Sequence, residues 1–376
     1  MKRFVTFGML MLAALAQPSL AEESGETAGQ GVTYRAMPTL SSNPSSGTGV
    51  GAMLTGIYHA DKASSPSQAI LNGQYTNTDS YNLFAINKMF FDSDRWQSNT
   101  VAGMLYNNSG FDFPADWLPP VSLPINPDDG IQYNVNIYVI GQQLMYRIKP
   151  HFYLGGQLVY IDQSFSGTNL AGELFLKSRG IEDASRGGYG LTLSYDTRTK
   201  SEKFYPTNSS WVDLVANHFP EFMGINAAYY NLTLNARKYI HGIRSADVFA
   251  MQLYGQYSSE NTPDGALAAL GARNIIRGFP IGLYKTRHML AAQGEYRYRV
   301  GQSRFRLTAF AGYASLTGGS KGTTAGNREA DNGDYYSGGL GVHYILAEKQ
   351  QLDYRVNVAY TSEDEASIYA SINQAF

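Results

Sequence analysis

The residues able to do chemistry are few and scattered along the 376-residue chain. The six histidines, His59, His151, His218, His241, His288 and His343, include no pair at metal-ligand spacing such as His-Glu-x-x-His. There is no cysteine, which removes thiolate ligands, a cysteine nucleophile and any disulfide framework. A phosphate-cradling Gly-x-x-x-x-Gly-Lys loop and a Gly-x-Ser-x-Gly elbow are both missing. A hydrolase dispersed over strands would need His218 or His343 with a distant Ser and acid, and no such constellation is legible. The chain therefore reads as a non-enzyme that takes no cofactor and no metal. Asn107-Asn108-Ser109 matches a glycosylation acceptor but reads as loop chemistry. What remains is charge pairing. Arg277 follows Ile275 and Ile276 in a segment otherwise destined for water, and Gly278 permits a tight backbone path. An inward carboxylate would hold Arg277 if the loop folds back, and Glu295 is placed to do so.

The elements that must position this pair are strands. Lys2 and Arg3, the apolar run Phe4 to Ala16 and Ser19-Leu20-Ala21 form a secretory signal over 1–21, followed by a disordered lead-in over 22–30. After Ala21 no run of 18 apolar residues occurs, which excludes a helical membrane protein. Apolar and polar residues instead alternate with period 2. Leu290, Ala292, Gly294, Tyr296 and Tyr298 share one face, while Gln293, Glu295, Arg297 and Arg299 share the other. Many such segments are long enough for tilted transmembrane strands, and tyrosines gather near their ends as in an interfacial girdle. The 39 Gly, 28 Tyr and 18 Phe, with only 16% charged residues, fit that class. A net charge of -2 argues against a nucleic-acid partner.

The pattern yields sixteen strands, at about 31–38, 48–60, 67–78, 80–91, 95–107, 131–148, 151–164, 187–197, 209–219, 225–240, 245–259, 287–300, 303–316, 334–346, 350–361 and 366–376. The long connections 108–130, 165–186, 260–286 and 317–333 all follow odd-numbered strands, and the other side has brief turns except 197–208. Short periplasmic turns and long outer loops are the outer-membrane arrangement. The predicted fold is an all-β, antiparallel transmembrane barrel over 31–376 in the outer membrane, with outer-membrane lipid around it. Ile368, Ile372 and the final Phe376 are expected on one face of the last strand. Such a terminal aromatic resembles the signal that hands barrels to their insertion machinery.

Several motifs then line up. Ile276-Arg277-Gly278-Phe279 resembles the Val-Arg-Gly-Phe/Tyr loop motif of the BamA/TamA-type outer-membrane assembly-factor superfamily, also called bacterial surface antigens. Asp196-Thr197-Arg198 followed by Phe204-Tyr205-Pro206-Thr207 resembles that family's Asp-x-Arg and Phe-Pro-Thr turn, which accounts for the one long periplasmic connection. Glu295 sits where the family carries a Glu. The likeness is strong over 187–376 and weak before. Arg277 is expected to pair with Glu295, with another inward acid such as Asp353 as a further partner. The family's Phe-x-Asp-x-Gly stretch here reads Phe310-Ala311-Gly312-Tyr313-Ala314, so Gly312 replaces an expected anchor of the loop. Residues 22–30 leave no room for a POTRA module, which implies a barrel-only member whose client binding would need a separate periplasmic protein.

Three functions are open at this point. A biogenesis barrel would assist insertion or translocation of proteins or lipids through a weak seam between the first and last strands, where the short first strand ends in Pro38. A passive channel would use the wide lumen, with inward Arg237, Arg297, Arg299, Arg304, Arg306 and Arg355 making its wall basic. A structural surface antigen would act only through its long loops.

Overall fold

The computed structural model describes residues 32–43, 47–111, 130–178, 181–224, 226–263, 266–271, 274–279, 284–318, 332–347, 352–364, 366–372 and 376. The expected signal and lead-in lie outside them. Sixteen antiparallel strands form one closed barrel. They are β1 Thr33–Asn43, β2 Gly47–Tyr58, β3 Ser67–Thr76, β4 Tyr81–Phe91, β5 Trp96–Phe111, β6 Ile131–Lys149, β7 Phe152–Gly167 and β8 Ala184–Asp196. Then come β9 Ser210–Phe219, β10 Tyr229–His241 and β11 Val248–Ser258. A two-residue ribbon, β12 Ala268–Ala269 with β13 Lys285–Thr286, sits inside the connection from β11 to β14. The barrel continues with β14 His288–Arg299, β15 Phe305–Thr317, β16 Gly333–Ala347, β17 Leu352–Thr361 and β18 Ala366–Ile372, which returns to β1.

Each strand sorts its side chains by period 2. The outward Leu158, Leu191 and Leu340 are 64%, 67% and 68% exposed, a level that only an apolar surround tolerates for so many neighbours. Two aromatic girdles bound this band. Tyr81 stacks on Tyr106 and Tyr230 on Tyr257 at the long-loop end. Phe91, Trp96 and Tyr146, then Phe152 and Tyr195, line the short-turn end.

Several expectations need correction. The first strand is Thr33–Asn43 rather than 31–38, so Pro38 lies at its centre. The connection after β7 holds a helix, α1 Leu170–Ser178, that the strand-only reading missed. Its Ala171, Phe175 and Leu176 pack on Ile131 and Tyr133, and Asn169 Oδ1 accepts the Gly172 N–H at 2.7 Å. Arg304 is not a wall residue, because it lies exposed in the turn before β15. Phe376 does not share an outward face with Ile368. Ile368 pairs with the outward Val358, whereas the Phe376 ring is buried among the inward Tyr205, Tyr239, Val248 and Ala250. The Ile372 side chain lies outside the described residues.

The ladders are not equal. β1 and β2 pair at every position from Thr33 with Ile57 to Asn43 with Gly47. Among the described residues β1 and β18 pair only at Ser41 with Tyr369 and Ser42 with Ile368, near the long-loop end. Pro38 falls in the stretch without a partner on β18 and has no N–H to give.

Candidate functional site

The connection from Ser259 to Arg287, here the strap, turns back into the barrel. Its apolar residues Leu270, Ile275, Ile276, Phe279 and Tyr284 form one buried cluster with the inward Met289, Ala291, Ala314 and Leu316. The wall is apolar here because the strap covers it. Polar contacts fasten the tip. Gln293 donates to Asn274 O at 2.8 Å, and Arg355 to Asn274 Oδ1 at 3.3 Å. The Gly278 N–H donates to Tyr369 Oη at 3.0 Å, and Ser367 Oγ donates to Gly278 O at 2.9 Å. The strap therefore spans β14, β17 and β18.

Arg277 Nη1 lies 2.7 Å from Glu295 Oε2, off the line of a hydrogen bond, and the guanidinium stacks 3.5 Å from the Phe310 ring centre. Glu295 Oε1 accepts from Arg297 Nε at 2.7 Å, and Arg297 Nη2 donates to Phe376 O at 3.0 Å. One carboxylate thus serves two buried guanidinium groups. Asp353 pairs instead with Arg306. His343 lies 3.4 Å from Thr308 Oγ1 and 3.8 Å from Asp353 Oδ2, the order of a catalytic relay. All three are fully buried, with Arg306 on the acid, so a substrate has no approach. His218 faces outward and meets Tyr189 Oη at 3.1 Å.

The backbone explains Gly278. Its φ is +115°, and an added Cβ would come within 2.6 Å of Thr361 Cγ2. Ile276 holds φ of +50°, a costly conformation for a β-branched residue that dense packing must sustain. Gly312 supplies that packing, since a Cβ there would sit 2.7 Å from Ile276 Cδ1. The departure from the family pattern is filled by the strap's own isoleucine. Gly312→Asp is therefore expected to displace Ile276 and lower stability by about 1–3 kcal/mol, although it restores the acid of the family motif. Urea unfolding followed by heat-modifiable gel mobility measures this, and a stabilised variant would contradict the packing account.

The turn 197–209 closes the short-turn end. Arg198 makes a bidentate pair with Asp196, Nε to Oδ1 and Nη2 to Oδ2 both at 2.9 Å, and Lys203 Nζ reaches Oδ2 at 2.9 Å. Tyr205 is buried with Phe376, and Phe204 packs near Met37, Ile57 and Tyr354 on the opposite wall. Pro206, next in the chain after Tyr205, is buried as well. Lys200 Nζ donates to Ala63 O in the β2–β3 turn. The turn is thus a floor across the mouth. Within it, partial burial works to raise the Glu202 carboxyl, but hydrogen bonds from Thr207, Asn208 and Thr199 outweigh it and hold the group down at about 2. The folded value lies below the ordinary 4.5. The contribution is therefore present above that value and lost as pH falls from it towards 2. Trp211 lies under Arg198, so its emission, read with Trp96 and Trp117 replaced by Phe, should change across that window. An unchanged signal in that window would contradict the claim that the hydrogen bonds to ionised Glu202 hold the floor turn.

Sequence reading paired Arg277 with Glu295 but missed Arg297 as the second cation on it, Lys203 as the second on Asp196, and Ser367 and Tyr369 as strap anchors. Parity along the last strand was the available signal, because both anchors sit on its inward positions.

The model of the Omp85 superfamily domain matches residues 66–376. The chain belongs to the Omp85 superfamily. Among solved structures this Omp85 barrel is similar to BamA from Haemophilus ducreyi lacking POTRA domains 1-3, with TM-score 0.53 and 13% identity over 92% of this chain and 70% of that one. It is also similar to CdiB from Acinetobacter baumannii, with TM-score 0.61 and 11% identity over 92% and 60%, and to CdiB from Escherichia coli, with TM-score 0.61 and 9% identity over 90% and 62%. The chain thus spans less than two thirds of either CdiB chain. At such identities the likeness concerns the fold. No curated protein matches the sequence.

Proposed function

We propose that this Omp85 barrel sits in the outer membrane and assists the insertion or translocation of proteins or lipids through the β1–β18 seam. The observation that carries the reading is the seam itself. It pairs at two described positions where the next ladder pairs along the whole of β1. With a net hydrogen bond contributing about 0.5–1.5 kcal/mol, the seam is the place where the wall opens at least cost. The strap supports the same reading, since Gly278 bonds to Tyr369 and Ser367 on the seam strand. A client strand at β18 would compete for backbone groups beside these anchors. A partner in the periplasm would meet the floor turn first.

A channel is the second reading, favoured by Ile86, which points inward yet is 43% exposed and so borders open lumen. Planar-bilayer recording separates the two. The intact barrel is expected to stay closed or flicker, and deletion of 261–286 to produce large steady openings. Large steady openings in the intact protein would overturn the insertion reading in favour of diffusion.

A further inference from the structure

Inward apolar side chains in an outer-membrane barrel border water unless something covers them. On β14 and β15 the cover is the strap. A second inward row is only partly covered by the described residues, and its Ile86 is 43% exposed. Ile70, Ile86, Val101, Gly141 and Val159 face one another in register across β3 to β7. The row ends at Gly188, where the Phe219 ring closes to 2.5 Å from the position of an added Cβ. At strand spacing of about 4.8 Å it runs roughly 19 Å, which suits an extended acyl chain.

The adjacent row towards the short-turn end is polar. Gln68, Lys88, Asn99, Gln143 and Gln157 follow in register. Its amides bond one another, Asn99 Nδ2 to Gln143 Oε1 at 2.6 Å and Gln143 Nε2 to Gln157 Oε1 at 2.9 Å. Lys88 is the one charge in that row, and it pairs with no carboxylate among the described residues. Its Nζ rests 4.4 Å from the Trp211 ring centre, a ring that also carries Arg198 at 3.5 Å and Arg237 at 4.0 Å. Lys203 shares the Phe90 ring with Lys88. Among the described residues Asp196 and Asp213 pair with these four cations, and Asp94 acts on Lys203 from farther off. The cluster is short of negative charge beside a half-open apolar row.

We propose that the open half of the lumen binds an anionic single-chain amphiphile, with its acyl chain along the Ile70–Val159 row and its carboxylate or phosphate at Lys88. The site goes beyond the insertion reading and does not depend on it. It completes the cover of the half-open aliphatic row and gives the cation cluster a counter-charge, both from one molecule.

The test uses the full barrel in nanodiscs with three photoactivatable diazirine probes: palmitate, lysophosphatidate and an uncharged monoacylglycerol. Labelled residues are located by mass spectrometry. At least one anionic probe is expected to label β4 and β5 at inward positions such as Ile86 and Val101, and which of them does so separates carboxylate from phosphate. Lys88→Gln should lower that lumenal label about tenfold while leaving label at the outward Leu71 and Leu83 unchanged. Val101→Asn, which spares the cation cluster, should lower it from the tail side, and heat-modifiable mobility shows that both variants are folded. Label confined to outward residues, equal lumenal label from the uncharged probe, or label unchanged in Lys88→Gln would overturn the proposal.

Discussion

Glu295→Gln is expected to lower the unfolding free energy of the barrel by about 3–5 kcal/mol, the range for removing one partner of a buried ion pair. The effect is large because the lost charge serves Arg277 and Arg297 together, both buried to 2% exposure or less. Neither cation has water to turn to. Arg277→Ala should cost less, since Glu295 keeps its 2.7 Å bond from Arg297 and only the strap loses its charged anchor. The double variant should fall short of the sum of the two single changes, because both act on the same contact. Strict additivity in urea unfolding would contradict the pairing.

Asp196→Asn is expected to act on the other end of the barrel with comparable size. It removes the carboxylate that holds Arg198 by two bonds and Lys203 by a third, leaving Asp213, paired with Arg237, as the one carboxylate still in an ion pair with these cations among the described residues. The floor turn then loses its tether to β8. Trypsin should cut at Arg198, Lys200 or Lys203 in the variant and leave the native turn intact while the barrel remains folded. A turn equally resistant in both would mean that the packing of Phe204 and Tyr205, rather than the charge cluster, keeps the mouth covered.

Much of the barrel was legible because a membrane leaves backbone groups no solvent and forces strict alternation. The outward Leu290 and inward Glu295 follow from parity alone, and the sixteen strands fall within a few residues of their predicted bounds. Errors arose where periodicity carries no information. Thr33–Asn43 extends past Pro38 because β2 pairs with it along its whole length, which a local reading of proline cannot see. The helix Leu170–Ser178 is short, and its amphipathic face is set by Ile131 and Tyr133, far away in sequence. At the site, Arg277 and Glu295 stood out through charge and motif. The seat of Ile276 against Gly312 could not, since it depends on a missing side chain meeting a loop folded from elsewhere. Phe376 was misplaced for a similar reason. Its ring is drawn inward by the floor turn and by Arg297, neither of which leaves a trace in the last strand's pattern.

The seam carries the proposed function, and one measurement addresses it directly. Ser41 and Tyr369 are register partners, close enough across an antiparallel ladder for a disulfide, and the chain has no cysteine to interfere. The Ser41→Cys/Tyr369→Cys barrel in liposomes would be given an eight-stranded outer-membrane barrel unfolded in urea, with insertion followed by heat-modifiable mobility. The reduced form is expected to speed insertion over empty liposomes, the oxidised form to lose that gain, and reductant to restore it. Equal rates with the seam locked and unlocked would contradict the claim that this wall opens to do its work.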